Sequence, residues 1–132
     1  MEMDEFVRTV FDEQYRAVFG EGQALISSQQ EIVLVEEEAG QLVAVLQAQQ
    51  TLETIHVKAL VVAKDKQGQG LGSCLLTRLE NEARQGGVRS ITLSTKSYQA
   101  KDFYLKAGYS IYAQLEDVPK KGITKYHFIK WL

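Results

Sequence analysis

Apolar and polar residues alternate along this chain with a period that changes from segment to segment. Between Asp4 and about Leu25, apolar side chains recur at helical spacing, which predicts an amphipathic helix that Gly20 or Gly22 ends or interrupts. The next segment, EIVLVEEEAGQLVAVLQAQQ, predicts two strands around a turn at 37–40. A third strand is predicted by LETIHVKALVVA.

The second half of the chain predicts two helices and three more strands. Leu71, Leu75, Leu79 and Ala83 recur every fourth residue, so we expect a helix from Leu71 to about Gln85. The segments VRSITLST, YSIYAQL and TKYHFIKWL predict strands, and QAKDFYLKAG predicts a short helix. This order predicts an α/β fold in one domain over residues 1–132, with a mixed, mostly antiparallel sheet flanked by helices.

Composition narrows the classes of protein to consider. The lysines and arginines are scattered and the formal net charge is −2, which does not indicate a nucleic-acid-binding surface. No stretch approaches the roughly 18 apolar residues of a membrane span, and the acidic N-terminus lacks a secretory signal pattern. The single cysteine, Cys74, excludes an internal disulfide and fits a cytoplasmic protein. Two histidines without neighbouring ligand residues give no basis for a metal site.

Three glycines, Gly68, Gly70 and Gly72, lie in the segment KDKQGQGLGSC, between the third strand and the long second helix. Such a loop presents several backbone N–H groups to one concavity, and the start of the helix adds four more unpaired N–H groups. The loop is therefore suited to bind phosphate. The alternative is a sharp turn that uses glycine only for its backbone angles.

Two familiar phosphate-binding motifs do not match this loop. A P-loop requires Lys and then Ser or Thr after its last glycine, whereas Gly72 is followed by Ser73 and Cys74. A dinucleotide fingerprint requires glycine or alanine where Ser73 stands, within a βαβ unit that this element order does not provide. The remaining interpretation is a loop of backbone amides that holds a pyrophosphate without cleaving it.

Two segments together resemble the GNAT superfamily of N-acetyltransferases. Gln67–Gly72, QGQGLG, is similar to the Gln/Arg-x-x-Gly-x-Gly/Ala signature of that family, and Ser97–Tyr109, SYQAKDFYLKAGY, is similar to its second motif. The resemblance covers roughly residues 32–115 and implies the GNAT fold. It differs at the start, where the family usually has a strand and this chain has a helix.

The resemblance implies acetyl-CoA as co-substrate and a primary amine, of unidentified structure, as acceptor. Its implied cofactor-binding residues are Leu60, Val61, Val62, Gln67, Gly68, Gln69, Gly70, Leu71, Gly72, Ser73, Ser97, Ala100 and Phe103. Ser97 replaces an asparagine common in the family, and Phe103 also suits core packing. Lys64 and Lys66 either attract the 3′-phosphate of CoA or are solvated surface lysines.

Catalytic roles are implied for two residues. Tyr104 aligns with the family tyrosine that lies near the CoA sulfur, which makes it the candidate proton donor to the departing thiolate, and a tyrosine that only packs at a helix end is the alternative. His56 falls where some family members place a glutamate base, and its pKa range suits that role. A strand histidine facing solvent is the alternative, with a water, Glu53 or His127 as other candidates for the base.

Three further expectations concern the alternative functions, Cys74 and the last strand. A non-catalytic acyl-CoA-binding module, or a structural domain with an empty loop, would share this fold. Cys74, on the helix after the loop, is expected to be a small core residue. The apolar last strand, which includes Trp131, should be paired or covered, and we expect a homodimer contact there.

Overall fold

Helices and strands alternate along residues 2–132, which the computed structural model describes. The elements are α1 (Met3–Phe19), β1 (Gln29–Glu38), β2 (Gln41–Thr51), β3 (Thr54–Val62), a 3-10 turn (Lys64–Lys66), α2 (Leu71–Gln85), β4 (Ser90–Lys96), α3 (Lys101–Lys106), β5 (Ser110–Glu116) and β6 (Thr124–Trp131). Their order is the one that the sequence predicts. The first helix is shorter than predicted because Gly20 ends it, with a φ of +84° that favours glycine.

The six strands form one mixed sheet in the order β1-β2-β3-β4-β6-β5. Among the strands of residues 2–132, only the β3–β4 pair is parallel, and the other four pairs are antiparallel. The predicted mixed, mostly antiparallel sheet is therefore confirmed. The last strand, β6, lies inside the sheet between β4 and β5, so both of its edges are paired, as expected of an apolar strand.

The parallel strands β3 and β4 separate soon after they meet. They pair only where Thr54–His56 face Ser90–Thr92. Just beyond, the register of β3 against β2 shifts, and Lys58 is the extra residue of a β-bulge. Because a bulge bends its strand, the rest of β3 turns away from β4 and a cleft opens between them.

The hydrophobic core lies between the sheet and α2. Leu75, Leu76 and Leu79 of α2 are almost fully buried against the face of the sheet that we call the inner face. That face contributes the largest buried side chains, which are Leu46, Ile55, Ile91, Leu93 and Phe128. Each fully buried side chain of this size contributes roughly 1.5–3 kcal/mol. The opposite side of the sheet is called the outer face below.

The first helix is packed differently from what its apolar pattern predicts. Phe6, Val7 and Phe11 are all about half exposed, whereas the buried residue of α1 is Asp12. The Asp12 carboxylate accepts a hydrogen bond from Ser27 Oγ at 2.8 Å. The helical period shows which residues share a face, but it does not show which side of the helix meets the sheet. No helix in residues 2–132 has the length and apolar character needed to cross a bilayer.

A buried polar network ties α2 to the end of the sheet. Glu80, only 7% exposed, accepts hydrogen bonds from Tyr109 Oη and Lys130 Nζ, both at 2.9 Å. Lys130 Nζ also donates to the Ala107 carbonyl at 2.9 Å. Burial, and then the Glu80 carboxylate, raise the pKa of Tyr109 well above its ordinary value. Removing one partner of such a buried pair typically costs about 3–5 kcal/mol, so the network positions α3 and β6 firmly relative to α2.

Candidate active site

A cleft of about 630 Å³ lies where β3 and β4 separate. One wall is Leu60–Val62 of β3, whose edge beyond His56 is not paired with β4. A second wall is the glycine loop and the start of α2, and a third is Ala100, Phe103 and Tyr104 at α3. Three segments that are distant in sequence thus meet at one opening in the sheet.

The glycine loop takes its shape from residues with positive φ. Gly68 and Gly70 have φ of +83° and +81°, a region that side-chain-bearing residues rarely adopt. Gly70 is the N-cap of α2, so the unpaired N–H groups of the first helical turn follow directly. The loop is braced by Gln67, whose Nε2 donates to the Val62 carbonyl at 3.2 Å. Backbone donors and the positive end of the helix dipole therefore border the cleft.

Gly72 lies where α2 begins, next to both α3 and β3. A Cβ at this position would lie 3.4 Å from Phe103 Cζ and 3.7 Å from Val62 Cγ2, which are ordinary van der Waals distances. The start of α2 is therefore close to both of these elements. The floor of the cleft is thus formed by direct packing of its three walls.

Tyr104 lies in an aromatic cluster and also lines the cleft. It is only 6% exposed, and its ring packs against Phe103, Tyr109 and Phe128 at centroid distances of 5.1, 6.0 and 5.6 Å. Burial raises the pKa of Tyr104 to about 12. Its hydroxyl makes no hydrogen bond to any other residue in 2–132. The phenol is therefore protonated at neutral pH and has a proton to donate.

His56 lies on the outer face, at the last position where β3 pairs with β4. Its Nδ1 is 2.9 Å from Thr92 Oγ1. Burial lowers the pKa of His56, and the positive charges of His127, Lys125 and Lys58 lower it further. A neutral imidazole, which can accept a proton, is therefore favoured at neutral pH. Tyr104 belongs to the core cluster and lines the cleft, whereas His56 is not among the residues that line it.

The other candidates for the base have different surroundings. Glu53 is exposed in the turn before β3, where its carbonyl accepts the Arg89 N–H at 2.8 Å. His127 is partly buried on β6, and its ring lies 5.8 Å from the ring of Tyr112.

Two predicted cofactor-binding residues lie outside the cleft lining. Ser97 is engaged with Thr124, whose N–H donates to Ser97 Oγ at 3.2 Å and whose carbonyl accepts the Ser97 N–H at 2.8 Å. Gln69 is exposed on the loop. Tyr98 and Gln99, which are not among the predicted site residues, also line the cleft just before α3. Their only sequence signal is their place inside the second motif.

Cys74 and Lys66 lie near the glycine loop, and each contacts a glutamate. The prediction that Cys74 is a core residue is wrong, because its side chain is exposed, with Sγ 3.8 Å from Glu36 Oε1. Cys74 lies about 100° around α2 from Leu75, beside the Leu75 and Leu79 stripe that meets the sheet. Lys66 lines the cleft, but its Nζ is 2.8 Å from Glu38 Oε2, so its charge has a partner already.

Comparison with known proteins agrees with this architecture. The family model described as an acetyltransferase (GNAT) domain matches residues 3–130. Blasticidin-S acetyltransferase of Streptomyces morookaense is 35% identical over 96 residues, which are 72% of this chain and 70% of that protein. Aminoalkylphosphonate N-acetyltransferase of Salmonella typhimurium is 46% identical over 55 residues, which are 40% of this chain and 36% of that protein.

A solved structure extends the match to nearly the whole chain. The crystal structure of an acetyltransferase from Bacillus cereus superposes with a TM-score of 0.81 at 27% identity, and it covers 98% of this chain and 91% of its own. The mixed sheet with its separated parallel pair is the frame of an acyl-transferring enzyme. This chain belongs to the GNAT acetyltransferase family, and it is an acetyltransferase.

Proposed function

We propose that this protein transfers the acetyl group of acetyl-CoA directly to a primary amine. The observation that carries the proposal is the cleft, which brings together the glycine loop, the unpaired edge of β3 and Tyr104. When bound, acetyl-CoA supplies an acetyl group already activated as a thioester. The protein's own residues then have three tasks: to hold the donor, to remove a proton from the amine and to supply one to the sulfur.

The walls of the cleft suit the donor molecule. The N–H groups of the loop and of the first turn of α2 would hold the pyrophosphate, and the positive φ of Gly68 and Gly70 keeps side chains away from it. Leu60–Val62 offer a strand edge that is not paired with β4. An extended amide-containing chain such as pantetheine can add to such an edge through backbone hydrogen bonds. An N–H on the same edge would donate to the thioester oxygen as negative charge develops there.

Proton removal is assigned to His56. A lysine-like amine has a pKa of about 10.4, so a base must take its proton before attack. The neutral imidazole of His56 stands at the point of strand separation on the outer face, and a bound water can relay the proton to it. The competing arrangement, a water chain without His56, predicts no effect of a change at this residue.

Proton supply is assigned to the Tyr104 hydroxyl. A phenol with a pKa of about 12 is a weaker acid than a free thiol, whose pKa is about 8.5. The same burial that raises the pKa of Tyr104 also disfavours a thiolate in the cleft. This raises the pKa of the thiol and narrows the pKa difference between the two groups. Tyr104 therefore acts first as a hydrogen-bond donor to the sulfur and completes the proton transfer as the bond to carbon breaks.

Release of CoA thiol tests this function against the non-catalytic alternative. Purified protein is incubated with acetyl-CoA and a panel of primary amines, and free thiol and acetylated amine are measured together. Equal amounts of the two products support direct transfer. Stabilisation by acetyl-CoA, with no amine-dependent thiol release across the panel, would instead favour an acyl-CoA-binding module. The absence of stabilisation would favour a structural domain.

The pH dependence of turnover should report on His56. We expect kcat/KM to fall as the pH drops through a value below 6.5, the ordinary pKa of histidine, because the pKa of His56 is lowered. His56→Gln should remove this acidic limb. Lys125→Met removes one of the charges that lower the pKa, so the limb should move toward higher pH. An unchanged profile in both variants contradicts the base assignment.

The charged groups around His56 also determine how the free energy of unfolding changes with pH. Lys58 on its own strand and Lys125 and His127 on β6 lower its pKa, and Glu31 on β1 contacts Lys58 at 3.0 Å. Since the folded pKa lies below the unfolded one, the contribution of His56 to stability is fully present above pH 6.5. It is lost as the pH falls through the folded pKa. Urea unfolding measured from pH 8 to pH 5 should show this loss in the wild type and not in His56→Gln.

We also propose a homodimer in the cytoplasm. The single thiol, Cys74, is exposed, which fits a reducing compartment. Trp131 is 71% exposed at the end of β6 and lines an apolar groove with Phe19, whose side chain is 59% exposed. A second copy would remove these rings from water. Light scattering at micromolar concentration should give twice the mass of one chain, and the mass of a single chain contradicts the dimer.

A further inference from the structure

Two lysines face each other across neighbouring strands beside the cleft. In the antiparallel ladder of β4 and β6, Lys96 is the direct partner of Lys125. Residues in this position have closely spaced Cβ atoms, and like charges there are unfavourable. Both side chains are partly buried, which strengthens the repulsion. In the part of the chain that the structure describes, neither lysine forms an ion pair with a carboxylate, whereas Lys58 and Lys130 each do.

Alternation along the strands places these lysines on the outer face. Phe128 of β6 and Leu93 of β4 are buried in the core, so residues of opposite parity on each strand point outward. Lys125 therefore shares the outer face with His127, and Lys96 shares it with Ser94 and Thr92. On β5, the residues paired with His127 and Lys125 are Ala113 and Leu115. Within residues 2–132, the outer face of β4, β6 and β5 thus carries two lysines, a histidine and no carboxylate.

The acceptor must reach the opening from this outer face. The inner face is covered by α2, and α3 with Tyr104 closes the inner side of the cleft. On the outer side, His56 marks the point of strand separation, and it stands within electrostatic reach of Lys125 and His127. An acceptor amine near His56 would therefore place the rest of its molecule close to the Lys96–Lys125 pair.

We propose that the acceptor is a small amine that carries an anionic group, a carboxylate, phosphonate or phosphate, and that Lys96 and Lys125 bind this group. An anion between the two ammonium groups turns their repulsion into two attractive contacts. This inference rests on the proposed function, because it places the acceptor on the outer face of the same opening. It names a class of substrate that acetyl transfer alone does not specify.

Four amines with the same two-carbon spacing test the proposal. The probes are 2-aminoethylphosphonate, β-alanine, 2-methoxyethylamine, which has no charged group besides its amine and is called the neutral amine below, and (2-aminoethyl)trimethylammonium, whose second group is a permanent cation. Their binding to the protein–CoA complex is measured by calorimetry at pH 8 and low salt, and their kcat/KM by thiol release. We expect the anionic amines to bind roughly tenfold or more tighter than the neutral amine, with a difference that shrinks as salt screens the charges.

Three single-residue variants show which lysines cause the preference for anionic amines. Lys125→Met and Lys96→Met keep the aliphatic stem and remove the charge, so each should reduce binding of the anionic amines and leave the neutral amine unchanged. Arg84→Met removes a charge at the end of α2, far from the outer face, and should change neither. At pH 8, His56 is neutral with or without Lys125, so a change in its pKa does not confound the comparison.

The outcomes separate this inference from the proposed function. Tighter binding of the anionic amines that depends on both lysines supports the anion site, even if no thiol is released, in which case the proposed transfer fails. Equal or tighter binding of the neutral amine or of (2-aminoethyl)trimethylammonium overturns the anion site, and acetylation of either amine would leave the proposed transfer standing. A preference for anions that survives both lysine changes also overturns it.

Discussion

Replacing Tyr104 with phenylalanine should slow turnover by about 10²–10⁴-fold, the usual contribution of general acid catalysis. The ring would still pack against Phe103, Tyr109 and Phe128, so the aromatic cluster is retained. The lost hydroxyl makes no hydrogen bond to another residue in the described chain, so its removal leaves no buried partner unsatisfied. Acetyl-CoA affinity and the free energy of unfolding should therefore stay close to wild type.

A second tyrosine provides the matched control. Tyr109→Phe removes a hydroxyl that donates to Glu80, so it should destabilise the fold while changing the chemical step little. Single-turnover measurements are needed, because a slow product-release step would hide a loss in the chemical step. Near-wild-type single-turnover rates in a folded Tyr104→Phe protein would falsify the proton-donor role. That result would assign proton supply to a water and leave the proposed role of the glycine loop unaffected.

Replacing Gly70 with valine should weaken acetyl-CoA binding by roughly 10–100-fold. In the proposed function, a side chain at this position would stand where the pyrophosphate approaches the backbone amides, and each charged hydrogen bond lost is worth about 1.5–3 kcal/mol. A Cβ at Gly70 meets no atom within 4 Å, so the fold has room for it. The positive φ of Gly70 nevertheless adds backbone strain of about 1–2 kcal/mol.

That strain requires a control with the same backbone problem. Gly22 has a φ of +83°, and a Cβ there also meets no atom within 4 Å, but it lies in the loop after α1. Gly22→Val should therefore lose a comparable amount of stability and keep its affinity for acetyl-CoA. If calorimetry finds equal affinity for acetyl-CoA in folded Gly70→Val and Gly22→Val proteins, the glycine loop does not bind the pyrophosphate.

The order of elements and the glycine loop were predictable because their signals are local. A period of two or 3.6 residues identifies a strand or a helix without knowledge of its neighbours, and Gly70 marks the start of α2 by its place in the sequence. The walls of the cleft followed from two motifs. Leu60–Val62 and Phe103 line the cleft, and their binding to acetyl-CoA stays a prediction.

The features that the sequence did not predict depend on how the helices and strands pack against one another. The exposure of Cys74 and of the apolar side of α1 is set by how each helix lies on the sheet, which no period reveals. Ser97 is engaged with Thr124 across a gap of 27 residues. The Lys96–Lys125 pair exists only because β6 returns to lie beside β4, and the sequence does not state that register.

The glycine loop and the outer face border the opening with different chemical groups. This difference affects how such an enzyme can change during evolution. On the loop side, the groups that border the cleft are backbone amides, which are nearly the same whichever side chain follows. On the outer face, side chains such as Lys125 and His127 define the surface. A point mutation there alters one contact without disturbing the loop. The same frame can therefore keep one donor and exchange acceptors by single steps.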